Sequence, residues 1–280
     1  MRGLLSGLRP SWLGGPAPSS DPTDGELIYA VGDIHGRYDL MKSLLAAVAR
    51  DAAPRAHGRQ PLLIFCGDYI DRGPQSAQVL EALVWLRKRS DMQVHLLKGN
   101  HEQTMLQFLE RPLRTAAWQQ FGGAQTLLSY GVAPPAPPDD PAELVRARNA
   151  LLERMPSSHL LLLERLELML VIGDYAFVHA GVRPDTPLGN QKEEDLLWIN
   201  GEFLEQEGPF EKVIVHGHTW TDGHPALLEH RIGLDTGAYT TGVLTAVRLD
   251  GGDVGVVQAR DEAASAFAPT AAGAAPGVHH

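Results

Sequence analysis

The chain has 280 residues, with 24 Lys and Arg against 34 Asp and Glu and a formal net charge of -10. Its 44% hydrophobic and 21% charged residues match an ordinary globular composition, which excludes global disorder and allows one generous domain or two small ones. The acidic balance argues against a nucleic-acid binder, no apolar run approaches the roughly eighteen residues of a membrane span, and a lone Cys66 excludes a disulfide framework and a thiolate zinc site, which fits a reducing, cytoplasmic setting.

In chain order, residues 1–25 carry Arg2, Arg9 and many Gly and Pro, and read as a disordered leader. Leu27–Val31 is a short apolar run ending at Gly32, the pattern of a buried strand. Tyr38–Arg50 places Leu40, Met41, Leu44, Leu45 and Val48 at helical spacing. Leu62–Cys66 with Ser76–Arg89, then Val94–Leu97 with a helix from Glu102 to Leu109, repeat the pair. This alternation predicts βαβαβα with a parallel sheet. Gly122 and Gly123 interrupt a helix-like stretch, and Ala133–Pro141, with five prolines, predicts a stiff connector. Helical patterns resume over Ala142–Met155 and His159–Leu166. Six strands follow, over Leu168–Ile172, Tyr175–His179, Val213–His216, Ile232–Asp235, Val243–Leu249 and Val254–Ala259. Few helices separate the last of them, which predicts a mixed or antiparallel sheet. Residues 261–280 are rich in Ala with some Pro and read as a disordered tail.

The chemistry concentrates where these strands end. Gly32-Asp33-Ile34-His35-Gly36 follows the first strand, Gly67-Asp68-Tyr69-Ile70-Asp71-Arg72-Gly73 the second, and Gly99-Asn100-His101-Glu102 the third. Carboxyl ends of adjacent parallel strands line one crevice, where open α/β sheets bind ligands. Two more strands end in His179-Ala180-Gly181 and His216-Gly217-His218. Taken singly, an Asp after a strand is a turn former, and a His in an apolar segment, such as His95 or His159, is a satisfied structural residue. Five Gly-flanked motifs at five strand ends form a set. Carboxylate, imidazole and amide oxygen without thiolate suit Mn, Fe, Zn or Mg, and one Asp can bridge two ions about 3.5–4 Å apart for phosphate displacement.

The order GDIHG, GDYIDRG, GNHE, a single-His turn and a GH pair resembles the metal-dependent phosphoprotein phosphatases of the calcineurin-like metallophosphoesterase superfamily, most of all the small bacterial serine/threonine phosphatases. The resemblance covers about Leu27 to Ala259. It implies an α/β fold, a four-layer αββα sandwich of two mixed sheets flanked by helices, as a single catalytic domain over residues 26–260. It implies two divalent metal ions, with Mn expected, one held by Asp33, His35 and Asp68, the other by Asp68, Asn100, His179 and His218. Arg72 would clamp phosphate, and His101, oriented by Asp71, would protonate the leaving oxygen. Tyr239 resembles a tyrosine lining the site. Glu102 would orient neighbouring groups.

One departure stands out. Relatives carry a second phosphate-binding arginine after a Leu-Trp pair, whereas here Leu197-Trp198-Ile199 is followed by Asn200. Arg183 is the candidate replacement. The resemblance implies hydrolysis of phosphoserine and phosphothreonine in a phosphoprotein or phosphopeptide partner. Asp71 and Glu102 favour that reading over its alternative, a nucleotide hydrolase such as a symmetrical diadenosine tetraphosphatase. A weak phospho-ligand-binding scaffold is the third. Cys66 reads as a buried small hydrophobe, and Trp220 as a packing residue or a flank of the cleft.

Overall fold

The computed structural model describes residues 21–136 and 140–261. Residues 1–20 of the leader expected over 1–25, the middle of the Pro-rich connector and residues 262–280 of the expected tail lie outside the described residues. Packing starts before the expected Glu26: Asp21 Oδ1 accepts from the Thr23 N–H and hydroxyl, each at 3.0 Å, and buried Thr23 accepts from Gly251 N at 3.1 Å. An Asp two residues ahead of a free N–H closes such a turn without neighbouring secondary structure.

Along the chain, β1 spans Leu27–Val31, α1 Tyr38–Ala52, β2 Leu62–Phe65, α2 Ser76–Arg89, β3 Gln93–Leu96 and α3 Asn100–Glu110. Helices α4 (Gly123–Ser129), α5 (Pro141–Arg154) and α6 (Ser157–Glu164) lead to β4 (Met169–Ile172) and β5 (Tyr175–Val178). Then come α7 (Glu193–Trp198), α8 (Gly201–Leu204), β6 (Val213–His216), β7 (Ala226–Leu227) and β8 (Arg231–Gly233). The short α9 (Ala238–Thr241) precedes the hairpin of β9 (Val243–Asp250) and β10 (Asp253–Arg260).

Two five-stranded sheets result, in the orders β10-β9-β1-β2-β3 and β4-β5-β6-β8-β7. Strands β1, β2 and β3 pair in parallel, as the strand–helix alternation demands. The late strands do not form the one mixed or antiparallel sheet that their sequence predicts. β4 to β8 make the second sheet, while β9 returns to pair antiparallel with β1, in register from Leu27↔Asp250 to Val31↔Ala246. β1 needs a partner on its side away from β2, and β9, buried along nearly its whole length, supplies one.

The layers follow from strand alternation. Leu27, Tyr29 and Val31 of β1 pack with α1 and α2, whereas Ile28 and Ala30 pack with Phe177, Val215 and Ile232 of the second sheet. In β5, Tyr175 and Phe177 face the first sheet, and Ala176 and Val178 face Leu196 and Phe203 of α7 and α8. Both central strands are therefore apolar on both sides, and three core seams separate four layers, αββα. The helix α3 begins at Asn100, two residues before the expected Glu102, because Glu102 reaches back to the Gly99 N–H at 2.9 Å and closes the first turn. At α5, Asp140 caps the Ala142 N–H at 2.9 Å and Pro141 fills the first turn. Among the described residues no helix is long and apolar enough to cross a membrane.

Candidate active site

The loops after β1, β2 and β3 are laced together by backbone. Ile34 N and His35 N both donate to Asp68 O, at 3.0 and 2.9 Å, and Gly36 N donates to Tyr69 O at 2.9 Å. From the second sheet, Gly217 N donates to His179 O at 2.8 Å, and His218 N donates to Asp33 at 3.0 Å. Five of the eight non-glycine residues with positive φ among the described residues fall here: His35, Asp68, Asp71, Arg72 and His218. Such backbone costs roughly 1–3 kcal/mol per residue and persists where surrounding contacts over-determine it.

Asp68 is the hub. Its Oδ2 lies 3.5 Å from His35 Nε2 and 3.9 Å from His101 Nε2, and its Oδ1 lies 3.4 Å from His179 Nε2. His35 Nδ1 donates to Ile70 O and His179 Nδ1 to Cys66 O, each at 2.8 Å. Each ring is thereby fixed in the tautomer that turns a bare Nε2 lone pair toward Asp68, the outer support expected of metal-ligating imidazoles. His35, Asp68 and His101 place one donor atom each within 4.8 Å of one another, as do Asp68, His179 and His218, so Asp68 is common to two trios. Asn100 stands beside them: with its nitrogen inward its amide donates to His179 Nε2 at 2.8 Å and to Asp68 Oδ1 at 3.2 Å, and with its oxygen inward it is an acceptor able to hold a cation. With His35 on one side of Asp68 and Asn100, His179 and His218 on the other, the donor set fits a pair of divalent cations sharing Asp68.

Electrostatics agree with that fit. Burial holds His35 down to about 3 and His218 to about 4, and lowers His179 as well. All three are neutral imidazoles at pH 7, as cation binding requires. Asp33 falls in neither trio. It is buried, accepts from His218 N, and its carboxyl is raised by burial and by neighbouring Asp235 and Asp68. Asp235, which the sequence reading did not single out, lies close enough to Asp33 to share a hydrogen bond, and burial pushes it up to about 6. Two buried carboxylates beside a third call for compensating positive charge. The signal for Asp235 was the one used for Asp33: an Asp between a strand and a glycine.

His101 and Asp71 form a buried dyad, Nδ1 donating to Oδ2 at 2.6 Å. Burial works against the charged ring, but Asp68 and Asp71 outweigh it and hold His101 up to about 9. Asp71 is itself clamped by Trp118 Nε1 at 2.8 Å and Thr126 Oγ1 at 2.6 Å, from the segment after α3. The sequence showed Gly122 and Gly123 only as a helix break. In the fold they let this segment close over Arg72, whose N donates to Gly122 O at 3.2 Å. Glu102 touches no imidazole lone pair. Its two oxygens accept from Asp68 N, Tyr69 N, Ile70 N and Gly99 N, at 2.9, 2.8, 3.3 and 2.9 Å. Burial and Asp68 push it up to about 8, yet four converging N–H donors leave no acceptor for a carboxyl proton, so the carboxylate form is the one the geometry selects.

Arg72 and Tyr239 reach the cluster. Arg72 Nη1 donates to His35 Nε2 at 3.0 Å, its Cζ lies 4.8 Å from the centre of the Tyr239 ring, and that ring meets His35 edge-on at 5.3 Å. Arg183 does not. Its fork is bidentate on Asp195, at 2.6 and 3.1 Å, with Nη1 on Glu202 at 2.5 Å. A carboxylate pair on α7 and α8 matches its donors instead. Asn200 is exposed at the start of α8, where its side chain makes no cap bond. The helix α7, too short to show a period, brings Trp198 to within 6.5 Å of the His218 ring. His216 is buried under Phe203 and takes no part, and the Cys66 thiol is raised by burial, as a core residue's is. Trp220 lies half exposed against Gly237, two residues before Tyr239.

Comparison with known proteins is consistent with this geometry. A family model described as calcineurin-like phosphoesterase matches residues 27–236. A bis(5'-nucleosyl)-tetraphosphatase of asymmetrical type from Anoxybacillus flavithermus is 28% identical over 238 residues, covering 78% of this chain and 88% of its own. A provisionally assigned serine/threonine-protein phosphatase from Caenorhabditis elegans is 40% identical over 75 residues, but these are 27% of this chain and 19% of that one. The crystal structure of a provisionally assigned diadenosine tetraphosphatase superposes with a TM-score of 0.55 at 20% identity, over 85% of this chain and 96% of that one, and supports the fold.

Proposed function

The chain belongs to the calcineurin-like phosphoesterase family, and from that membership we propose that it hydrolyses phosphoanhydride bonds in dinucleoside polyphosphates. The observation that carries this reading is the length of the match to the asymmetrical tetraphosphatase, 78% of this chain and 88% of the relative. The reading displaces the phosphoprotein phosphatase expectation as the first choice. That expectation leaned on Asp71 and Glu102, and Glu102 spends its carboxylate on loop backbone and reports nothing about substrate. The missing second arginine at Asn200 also weakens a site built to hold one compact phosphomonoester dianion.

Asp33, His35, Asp68, Asn100, His179 and His218 would hold two divalent cations. When bound, the ions supply Lewis acidity, lowering the pKa of water and taking up charge on the phosphoryl group. The chain's own residues do the rest. Arg72 offers its planar fork to phosphoryl oxygens, steadied over the Tyr239 ring. His101, kept cationic by Asp71 and Asp68, faces the leaving oxygen and either donates a proton or balances its charge. A phosphate leaving group needs less of that help than an alkoxide.

Incubation of the Mn-loaded protein with diadenosine tetraphosphate, with and without chelator, tests the reading. ATP and AMP as chelator-sensitive products support asymmetrical cleavage, and two ADP would indicate symmetrical cleavage. Turnover confined to a phosphothreonine peptide would overturn the nucleotide reading in favour of the phosphoprotein one.

A further inference from the structure

Trp198 carries an inference about how the substrate is held. Its indole is 46% exposed although it stands beside the most buried part of the molecule. Its edge is not free: Nε1 donates to Gln103 Oε1 at 2.8 Å, and Gln103 sits on α3 two residues past His101. One edge is pinned, so the ring presents a fixed face and loses little rotamer freedom on contact with a ligand. The same residue meets His218 at 6.5 Å between ring centres, at an interplanar angle of 79°. It also lines a pocket of about 410 Å³, shared with Arg183, Lys192, Asn200 and Gly201. Trp198 is therefore the link between the trio around His218 and a cavity of ligand size. Within that cavity Arg183 and Lys192 stand among the carboxylates of Glu194, Asp195 and Glu202, and Asn200 makes no helix-cap bond.

We propose that Trp198 and the pocket behind it form the nucleoside subsite: the base stacks on the indole face, and the sugar or flanking phosphate meets Asn200 and Lys192. The subsite rests on the nucleotide-hydrolase reading. It also gives the Asn200 departure a use. An arginine there would meet a phosphate dianion, whereas an uncharged amide matches hydroxyl and carbonyl groups of a nucleoside. Every base has a π-face, so the subsite accepts adenine or another base with modest preference.

The test is equilibrium binding to the Mn-loaded full chain, by titration calorimetry, of the α,β-methylene analogue of ADP, which has no phosphoanhydride bond, and of methylenediphosphonate, which lacks the nucleoside. The affinity ratio of the two measures the gain from the nucleoside. In Trp198→Ala that ratio falls about five- to a hundredfold, the range of base–aromatic stacking. In Trp198→Phe most of it survives. An unchanged ratio in Trp198→Ala, with the parent still cleaving diadenosine tetraphosphate, overturns the subsite and leaves the function standing. A parent chain that neither cleaves the dinucleotide nor prefers the nucleoside-bearing analogue overturns both. Circular dichroism and the methylenediphosphonate affinity show whether either variant is misfolded.

Discussion

Glu102→Gln is the most revealing single change, because it keeps the shape of a side chain whose charge is spent on backbone. Each Glu102 oxygen accepts from two N–H groups: Oε2 from Asp68 and Gly99, and Oε1 from Tyr69 and Ile70. A glutamine keeps one oxygen and turns an NH₂ toward the other pair, leaving two buried donors facing a third. Each stranded donor costs roughly 1–3 kcal/mol, so the expected loss is about 2–6 kcal/mol of unfolding free energy. The loop it anchors carries Asp68 and Asp71 at φ 51° and 71°. Relaxing that loop displaces Asp68, and Mn affinity should fall roughly ten- to a hundredfold, as for other groups that support a metal ligand. Urea unfolding of the metal-free protein and Mn titration of the folded one measure the two effects separately. A glutamine variant within about 0.5 kcal/mol of the parent, the span of an ordinary surface change, with unaltered Mn affinity, would refute the role drawn for the carboxylate.

A Cβ at Gly217 would collide with Asp33 Oδ1; Gly217→Ala should therefore abolish chelator-sensitive turnover while leaving the far-UV spectrum intact, and retention of more than a tenth of the activity would contradict the placement. Burial holds His35 and His216 to about 3 and His218 to about 4, against 6.5 in an ordinary setting. The unfolded chain binds those protons first, so the contribution of these three histidines is complete above pH 6.5 and declines between pH 6.5 and 3. The slope reaches about 1.4 kcal/mol per pH unit for each histidine, and a urea midpoint equal at pH 7 and pH 5 would exclude it. Asn200→Arg should restore a charge-assisted phosphate contact worth about 1.5–3 kcal/mol, read as a roughly ten- to hundredfold lower KM for a phosphothreonine peptide; an unchanged KM would place Asn200 out of reach of phosphate.

The first half of the molecule was legible because β1 and β2 are buried along their whole length and announce themselves as apolar runs, and each of β1, β2 and β3 is followed by a Gly-flanked polar motif. The strand-end motifs also carried the resemblance from which Asp33, His35, Asp68, Asn100, His179 and His218 were taken as candidate cation ligands. What escaped was whatever depends on pairing between distant segments. Nothing local in β9 distinguishes a partner for β1 from a neighbour of β8. Trp118 and Thr126 reach Asp71 from a segment without a strand-end signature, and α7 is too short for periodicity to reveal, so the exposure of Trp198 could not be read. The ion pairs of Arg183 could not be foreseen because its partners, Asp195 and Glu202, lie on two helices that the sequence pattern did not predict.

The pairing of β1 with β9 also fixes a temporal order. Leu27 and Asp250 are neighbours in the sheet yet lie roughly 220 residues apart in the chain. During synthesis β1, β2 and β3 emerge together and can associate, but one side of β1 stays unpaired until β9 has left the ribosome. A contact so distant in sequence slows folding, and an open, apolar strand edge invites association with other chains in the meantime. Among the described elements the hairpin of β9 and β10 is thus the last to arrive and the one that seals the central strand. A chain ended before Val243 would present that edge permanently, and such a fragment should aggregate even though every proposed cation ligand is present in it.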